Sequence, residues 1–122
     1  MTTDRELLEL AAKAYWGDEI DDVCSIRWSD ADNCILYMHV DNQDHNGLDV
    51  ELRWNPLEEN YDTFELQVKL EFTVNIGGGC VFVSRYENEP VIIEPFNPNI
   101  DRVVKVRLAI TRAAAEIGRN MK

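Results

Sequence analysis

The strongest pattern in this sequence is a helical repeat of apolar residues near its C-terminal end. Apolar residues recur there mostly three or four positions apart, at Val103, Val106, Ile110, Ala113, Ala114, Ile117 and Met121. The repeat predicts a helix that is capped by Asp101 and runs to about Asn120. A helix with one apolar face is stable only when that face is buried, so the rest of the chain must supply a layer to cover it.

The preceding residues supply a second helix and several strands. Thr3 and Glu6 have the spacing of a capping box, and an apolar stripe follows as far as Gly17, a residue that favours the end of a helix. Segments rich in strand-forming residues follow at positions 23–29, 34–40, 48–54, 72–76, 80–83 and 91–93. Together these elements predict one α+β domain over residues 1–122, with an antiparallel or mixed sheet of about five strands.

The segment from Asp62 to Leu70 fits two different structures. Asp62 and Glu65 have the spacing of a second capping box, which predicts a short helix. Apolar residues at every second position, Phe64, Leu66, Val68 and Leu70, are typical of a strand instead. The alternation by itself favours the strand, and the sequence leaves both interpretations open.

Charge and hydropathy limit the classes of function. The 122 residues include 23 acidic and 12 basic side chains, a net charge of −11, which argues against binding to nucleic acid or anionic lipid. No apolar run is long enough to span a membrane, and the N-terminal segment does not resemble a signal peptide. We therefore expect a cytoplasmic protein. Its cysteines, Cys24, Cys34 and Cys80, have no metal-binding or redox spacing and are expected to be buried thiols.

The charge is distributed unevenly along the chain. Residues 1–98 have a balance of −15, whereas residues 99–122 have a balance of +4. One interpretation is that a basic C-terminal helix packs on an acidic body. The other is that this asymmetry drives self-association, so a homo-oligomer is also possible.

Three segments resemble a family of small tailed-phage proteins, the phage ABA-sandwich domain. They are ELLELAAKA near the N-terminus, WNPLEENYDTFELQVKL in the middle and AITRAAAEIGRNMK at the end. The central match consists of Trp54–Leu57 with Val68–Leu70, and the closing match of residues 109, 110 and 112–118. The resemblance implies a phage or prophage origin, a bacterial host cell and an α/β/α sandwich with helices on both faces of the sheet. It implies no biochemical activity, and the segment Phe64–Gln67 departs from the family's alanine-rich helix.

Motifs for catalysis or metal binding are weak. The loop from Asn42 to Gly47 has part of the spacing of a calcium-binding loop, but its twelfth position is Arg53 where a glutamate is needed. His39 and His45 do not have the spacing of a zinc site, and Gly77–Gly79 has the character of a turn. No catalytic residue, cofactor or metal is predicted, and a small hydrolase or metal-binding enzyme remains only as an alternative.

The candidate protein-binding residues lie in one segment: Trp54, Asn55, Pro56, Glu58 and Glu59. Trp54 either seals an edge of the core above an Asn-Pro turn or stands exposed as an aromatic anchor for a partner. We expect a non-enzymatic accessory factor that binds a host or phage protein, one version being a mimic of DNA. The alternative is a phage structural or assembly protein that associates with itself.

Overall fold

The computed structural model describes residues 3–17, 23–39, 51–85, 92–97 and 101–121. Three helices and six strands occur there. The helices are α1 (Asp4–Trp16), α2 (Asn60–Leu70) and α3 (Arg102–Asn120). The strands are β1 (Val23–Ser29), β2 (Cys34–His39), β3 (Glu51–Trp54), β4 (Thr73–Gly77), β5 (Cys80–Ser84) and β6 (Ile92–Pro95). The predicted α+β class is confirmed.

The prediction of one sheet of about five strands is wrong. The described strands form two antiparallel sheets of three, with the orders β1–β2–β3 and β4–β5–β6. Helix α2 separates β3 from β4 along the chain, so the chain leaves the first sheet before it begins the second. Within each sheet consecutive strands are neighbours, as strands that follow each other in a chain usually are.

The second sheet has one covered face and one open face. Val81 and Val83 of β5 are fully buried on the side that packs against α3. Phe82 lies between them and is paired with Ile93 of β6, and both side chains are exposed. Among the described residues no helix covers this outer face, so the expected arrangement of helices on both faces is not found at β4–β6.

Helices α1 and α3 pack against each other through small residues. Ala11 of α1 and Ala114 of α3 are fully buried, and Gly118 lies against the backbone of Leu10. The contact continues to the helix ends, where Lys13 Nζ donates to the Met121 carbonyl over 2.9 Å. Small side chains allow two helix backbones to approach closely, and this pair forms the most extensive contact between elements.

The basic character of α3 is partly explained by its neighbours. Arg112 forms an ion pair with Glu94, a buried carboxylate on β6. Arg107 donates to the carbonyl of Leu57 over 2.9 Å and to Asn60 Oδ1 over 2.7 Å. These contacts join α3 to β6 and to the beginning of α2, which supports the interpretation of a basic helix packed on an acidic body.

The bounds of α1 and α3 follow the sequence predictions, but the side chains predicted to cap α2 and α3 do not cap those helices. Thr3 Oγ1 accepts from the Glu6 N–H over 3.1 Å, and Gly17 ends α1 with a φ of +40°. Asp101 stands at the N-cap of α3, but its carboxylate accepts from the Asn97 N–H instead. Asp62 caps no helix, because α2 already begins at Asn60. The prediction of a second capping box is therefore wrong, although the helix that it was expected to open, α2, is present.

Candidate functional site

The segment that contains the predicted binding residues links β3 to α2. Trp54 is 2% exposed, and Asn55 and Pro56 are buried beside it. The interpretation of Trp54 as an exposed aromatic anchor is therefore wrong, and its other interpretation, a residue that seals the core, agrees with the structure. Glu58 and Glu59 are exposed, so only these two of the five candidates present their side chains to a partner.

Trp54 is buried because α1 lies over it with two further aromatic rings. The ring centroids of Trp54 and Trp16 are 5.2 Å apart, and those of Trp54 and Tyr15 are 5.5 Å apart. Tyr37 of β2 extends the cluster, 4.9 Å from Trp16. Aromatic pairs at such separations stabilise a core beyond the area that they bury. The cluster thus holds the end of β3 in place, which fixes the position of the turn that follows.

Asn55 and Asp62 determine the geometry of the turn. The Asn55 carbonyl accepts from the N–H groups of Glu58 and Glu59, and the Asn55 side-chain oxygen accepts from Leu57 N–H over 3.1 Å. Asp62 Oδ2 accepts from the Asn55 N–H over 2.8 Å. Asparagine suits this position because its short amide can satisfy nearby backbone groups. The turn directs both glutamates away from the core and towards solvent.

A cleft of about 270 Å³ lies beside this turn. It is lined by Arg53, Asn55, Glu58, Glu59, Tyr61 and Asp62. The structure thus brings together three of the predicted residues and adds Arg53, Tyr61 and Asp62, which the sequence did not indicate as binding residues. Three carboxylates against one guanidinium make the cleft acidic, so it suits a cationic group.

Asp62 is the half-buried carboxyl of the cleft. Burial raises the pKa of Asp62 above its ordinary value, and the charges of Glu59 and Glu65 act in the same direction. The hydrogen bond from the Asn55 N–H opposes this rise. Asp62 therefore keeps its proton to a higher pH than an exposed aspartate does, because its half-buried position disfavours the charged form.

The outward side of α2 carries an apolar stripe that continues from the cleft. Tyr61 is 72% exposed, Phe64 60% and Val68 57%, and these residues lie three, four and seven positions apart. The side chains at i, i+3 and i+7 of a helix share one face. Leu66 and Leu70 are buried on the opposite side of the same helix. Helix α2 therefore has two apolar faces, of which only one contributes to the core.

Acidic residues border this stripe. Glu58 and Glu59 precede it at the turn, and Glu65 lies on the next turn of the helix from Tyr61. The charge of Glu65, and the hydrogen bond that the Tyr61 hydroxyl donates to it, raise the pKa of Tyr61. We define the α2 surface as Tyr61, Phe64 and Val68 with the bordering Glu58, Glu59 and Glu65. The apolar residues at every second position over 64–70 are the sequence signal for this surface. In a helix they divide into two pairs on opposite faces, Phe64 with Val68 and Leu66 with Leu70.

Several residues singled out in the sequence lie outside the described residues. The loop 42–47, His45 and the side chain of His39 lie outside. Cys34 is buried as expected, Cys80 is half-buried, and the side chain of Cys24 lies outside. Within the described ranges, no group of three or more potential metal ligands occurs. None of the helices in these ranges has the length and apolar character needed to cross a bilayer.

Comparison with family models, with curated proteins and with solved structures finds no match to this chain.

Proposed function

We propose that this protein is a non-enzymatic accessory factor that binds another protein through the α2 surface. The observation that carries the proposal is the second apolar face of α2. Three large apolar side chains of one helix are more than half exposed in a continuous row. Contiguous exposed apolar surface with a polar border is typical of protein interaction sites, whereas single exposed apolar residues are ordinary.

The chemistry of the border defines the class of partner. Glu58 and Glu59 precede the stripe, Glu65 lies beside it on α2, and the adjoining cleft holds Asp62 as well. The net charge of the chain is −11, so the acidic border lies in a negative overall field. Such a field favours approach of a basic partner. The partner is therefore a protein with an apolar patch that is flanked by lysine or arginine.

The biological setting of the proposal comes from the resemblance to the phage ABA-sandwich domain. We place the protein in the cytoplasm of a bacterial host, where a small acidic phage protein acts on a host or phage protein. A basic nucleic-acid-binding protein is one such partner, and binding to it would make this protein a mimic of DNA. The apolar stripe adds a contact that electrostatic mimicry of DNA alone would lack.

Two matched variants test the proposal. Val68→Lys places a cation in the apolar stripe, and Val104→Lys places one at a valine that is 50% exposed on α3. Both variants change the net charge equally, so a general electrostatic effect is the same in the two. We expect wild type and Val104→Lys to retain one defined basic protein from a bacterial lysate, and Val68→Lys to lose about tenfold or more of the affinity.

The interaction must then be reproduced with the purified partner. Binding of that partner should weaken as salt is raised, because part of the attraction is between exposed charges. Equal binding by Val68→Lys and Val104→Lys would contradict the proposal. Recovery of the chain's own copies alone would instead support the self-assembling alternative.

A further inference from the structure

A second surface adjoins the α2 surface at Phe64 and lies at the hairpin end of the second sheet. Strand β4 is an edge strand, and within the described residues only β5 pairs with it. A groove of about 320 Å³ opens beside this edge, between β4 and the helices α2 and α3. Half of its lining side chains are apolar, including Phe64, Ile76, Val103 and Val106, and the polar half includes Arg102 and Arg107.

Strand β4 differs from the other edge strands in lacking protection against pairing. Edge strands normally carry charges, proline or a bulge, because their free N–H and C=O groups can pair with another chain. The described edges have such features: Arg27 and a shift of register between Val23 and Ser25 in β1, Glu51 and Arg53 in β3, and Glu94 and Pro95 in β6. Strand β4 reads TVNIG, with no charge, no proline and a regular register.

The pleat of the sheet connects the edge to the groove. Ile76 pairs with Val81, which is fully buried on the helix-facing side, so Ile76 points to that side too. It is nevertheless 52% exposed, because the helices do not extend over the end of β4. A strand added to β4 would direct alternate side chains to the same side. Those side chains would enter the groove between Ile76, Phe64 and Val103.

The charge of the groove limits the occupant. Arg102 and Arg107 line it, and no acidic side chain is among its described lining residues. Arg107 is held by Leu57 and Asn60, and the Arg102 guanidinium lies 5.5 Å from the centre of the Phe96 ring. Both guanidinium groups thus have defined positions. They complement a carboxylate, in contrast to the acidic border of the α2 surface.

We propose that β4 and this groove bind an extended peptide segment of another protein, which adds a strand to the sheet edge. Its backbone pairs with β4, alternate apolar side chains enter the groove, and a carboxylate contacts Arg102. This mode of recognition gives affinity through the main chain and specificity through alternate side chains. The site shares Phe64 with the α2 surface, but Ile76, Val103 and Arg102 belong to the groove alone, and its partner has the opposite charge. Variants at these residues therefore let the two proposals fail independently.

Selection from a displayed library of random peptides about ten residues long tests this site, since that length covers a typical strand. We expect enriched peptides to alternate apolar residues and to contain aspartate, glutamate or a C-terminal carboxylate. A synthetic copy of an enriched peptide should lose about tenfold or more of its affinity for Ile76→Lys. The control is Ile93→Lys, because Ile93 is 55% exposed on the opposite edge of the same sheet.

Two further variants make the outcomes decisive. Arg102→Glu should weaken the binding of acidic peptides. It should leave the fold intact, because glutamate is favourable in the first turn of a helix. Val68→Lys should bind them as wild type does, because Val68 does not line the groove. Failure to enrich peptides, enrichment of basic peptides, or equal binding by Ile76→Lys and Ile93→Lys would overturn the proposal. A dimer of wild type that Ile76→Lys converts to monomer would also overturn it, since the edge would then bind a second copy.

Discussion

Trp54 and Tyr61 are seven positions apart in the sequence, and their environments are opposite. Trp54 lies under α1 in contact with Tyr15 and Trp16, and Tyr61 projects into solvent beside the acidic cleft. Residue type does not separate these cases, because both aromatic residues occur in cores and in interfaces. The sequence could not indicate which of the two rings is exposed, since burial depends on where α1 packs.

Alanine substitution at the two aromatic positions should therefore have opposite effects. Trp54→Ala removes a large buried ring, and we expect a loss of about 3–5 kcal/mol in the free energy of unfolding. Tyr61→Ala should change that free energy by less than about 0.5 kcal/mol but weaken partner binding. Urea unfolding of both variants checks the first point. A stable, well-folded Trp54→Ala variant would contradict the place of Trp54 in the core.

Asp62 makes stability depend on pH through its raised pKa. The folded protein holds this proton more tightly than the unfolded chain, whose aspartate has its ordinary value of 3.8. The contribution is therefore most favourable below that value, and it is lost as pH rises from the ordinary pKa through the raised one. Asp62→Asn retains an oxygen that can accept from the Asn55 N–H but cannot ionise.

Urea unfolding of wild type and Asp62→Asn over a series of pH values measures this contribution. We expect wild type to lose stability relative to the variant as pH rises from about 4 towards neutrality. A difference between the two proteins that does not change with pH would show that Asp62 titrates as it does in the unfolded chain.

Helix α2 shows how far an element can be predicted from its own pattern. Helices α1 and α3 each have one apolar series at helical spacing, and the structure confirms both. In α2 the two series, Phe64 with Val68 and Leu66 with Leu70, interleave to give the alternation of a strand. Prediction from apolar periodicity assumes that all apolar residues of an element lie on its buried face. Helix α2 departs from that assumption because its second apolar face is exposed.

The hairpins β1–β2 and β4–β5 were also predictable, because their turns are local. Gly78 and Gly79 of the second hairpin have φ values of +60° and +75°, a conformation that glycine adopts without strain. The division into two sheets was not predictable. It depends on β3 and β4 remaining unpaired with each other, and no local signal encodes which distant strands pair.

The contact of α1 with α3 gives a prediction at the scale of an element. A methyl group at Gly118 would overlap the carbonyl oxygen of Leu10, which is backbone and cannot rotate away. Replacing glycine by alanine favours the helix by about 1 kcal/mol. Overpacking opposes this gain and typically costs about 1–3 kcal/mol of stability, and more where backbone must move. We expect Gly118→Ala to lower the free energy of unfolding by about 2 kcal/mol.

The matched control is Asn120→Ala, because Asn120 is exposed two residues further along the same helix. It should change stability by less than about 0.5 kcal/mol. Thermal or urea unfolding of the two variants gives the comparison. If Gly118→Ala were as stable as wild type, the helices would not be in backbone contact at this position.

At the scale of the whole molecule, charge and exposed apolar area are arranged together. Most of the acidic charge lies before residue 99, and the α2 surface lies within that part. The cations of α3 are partly used inside the fold, by the ion pair to Glu94 and by the contacts of Arg107. This arrangement leaves an apolar surface with an acidic border on α2 and, adjoining it at Phe64, an arginine-lined groove.

Site-specific photo-cross-linking in bacterial cells tests the central claim most directly. A photoreactive amino acid at position 68 reports what contacts the α2 surface, and the same amino acid at position 104 serves as the control. We expect position 68 to cross-link in high yield to one basic protein, and position 104 to give no such product. Equal products at both positions, or cross-links from position 68 only to a second copy of this chain, would contradict the claim.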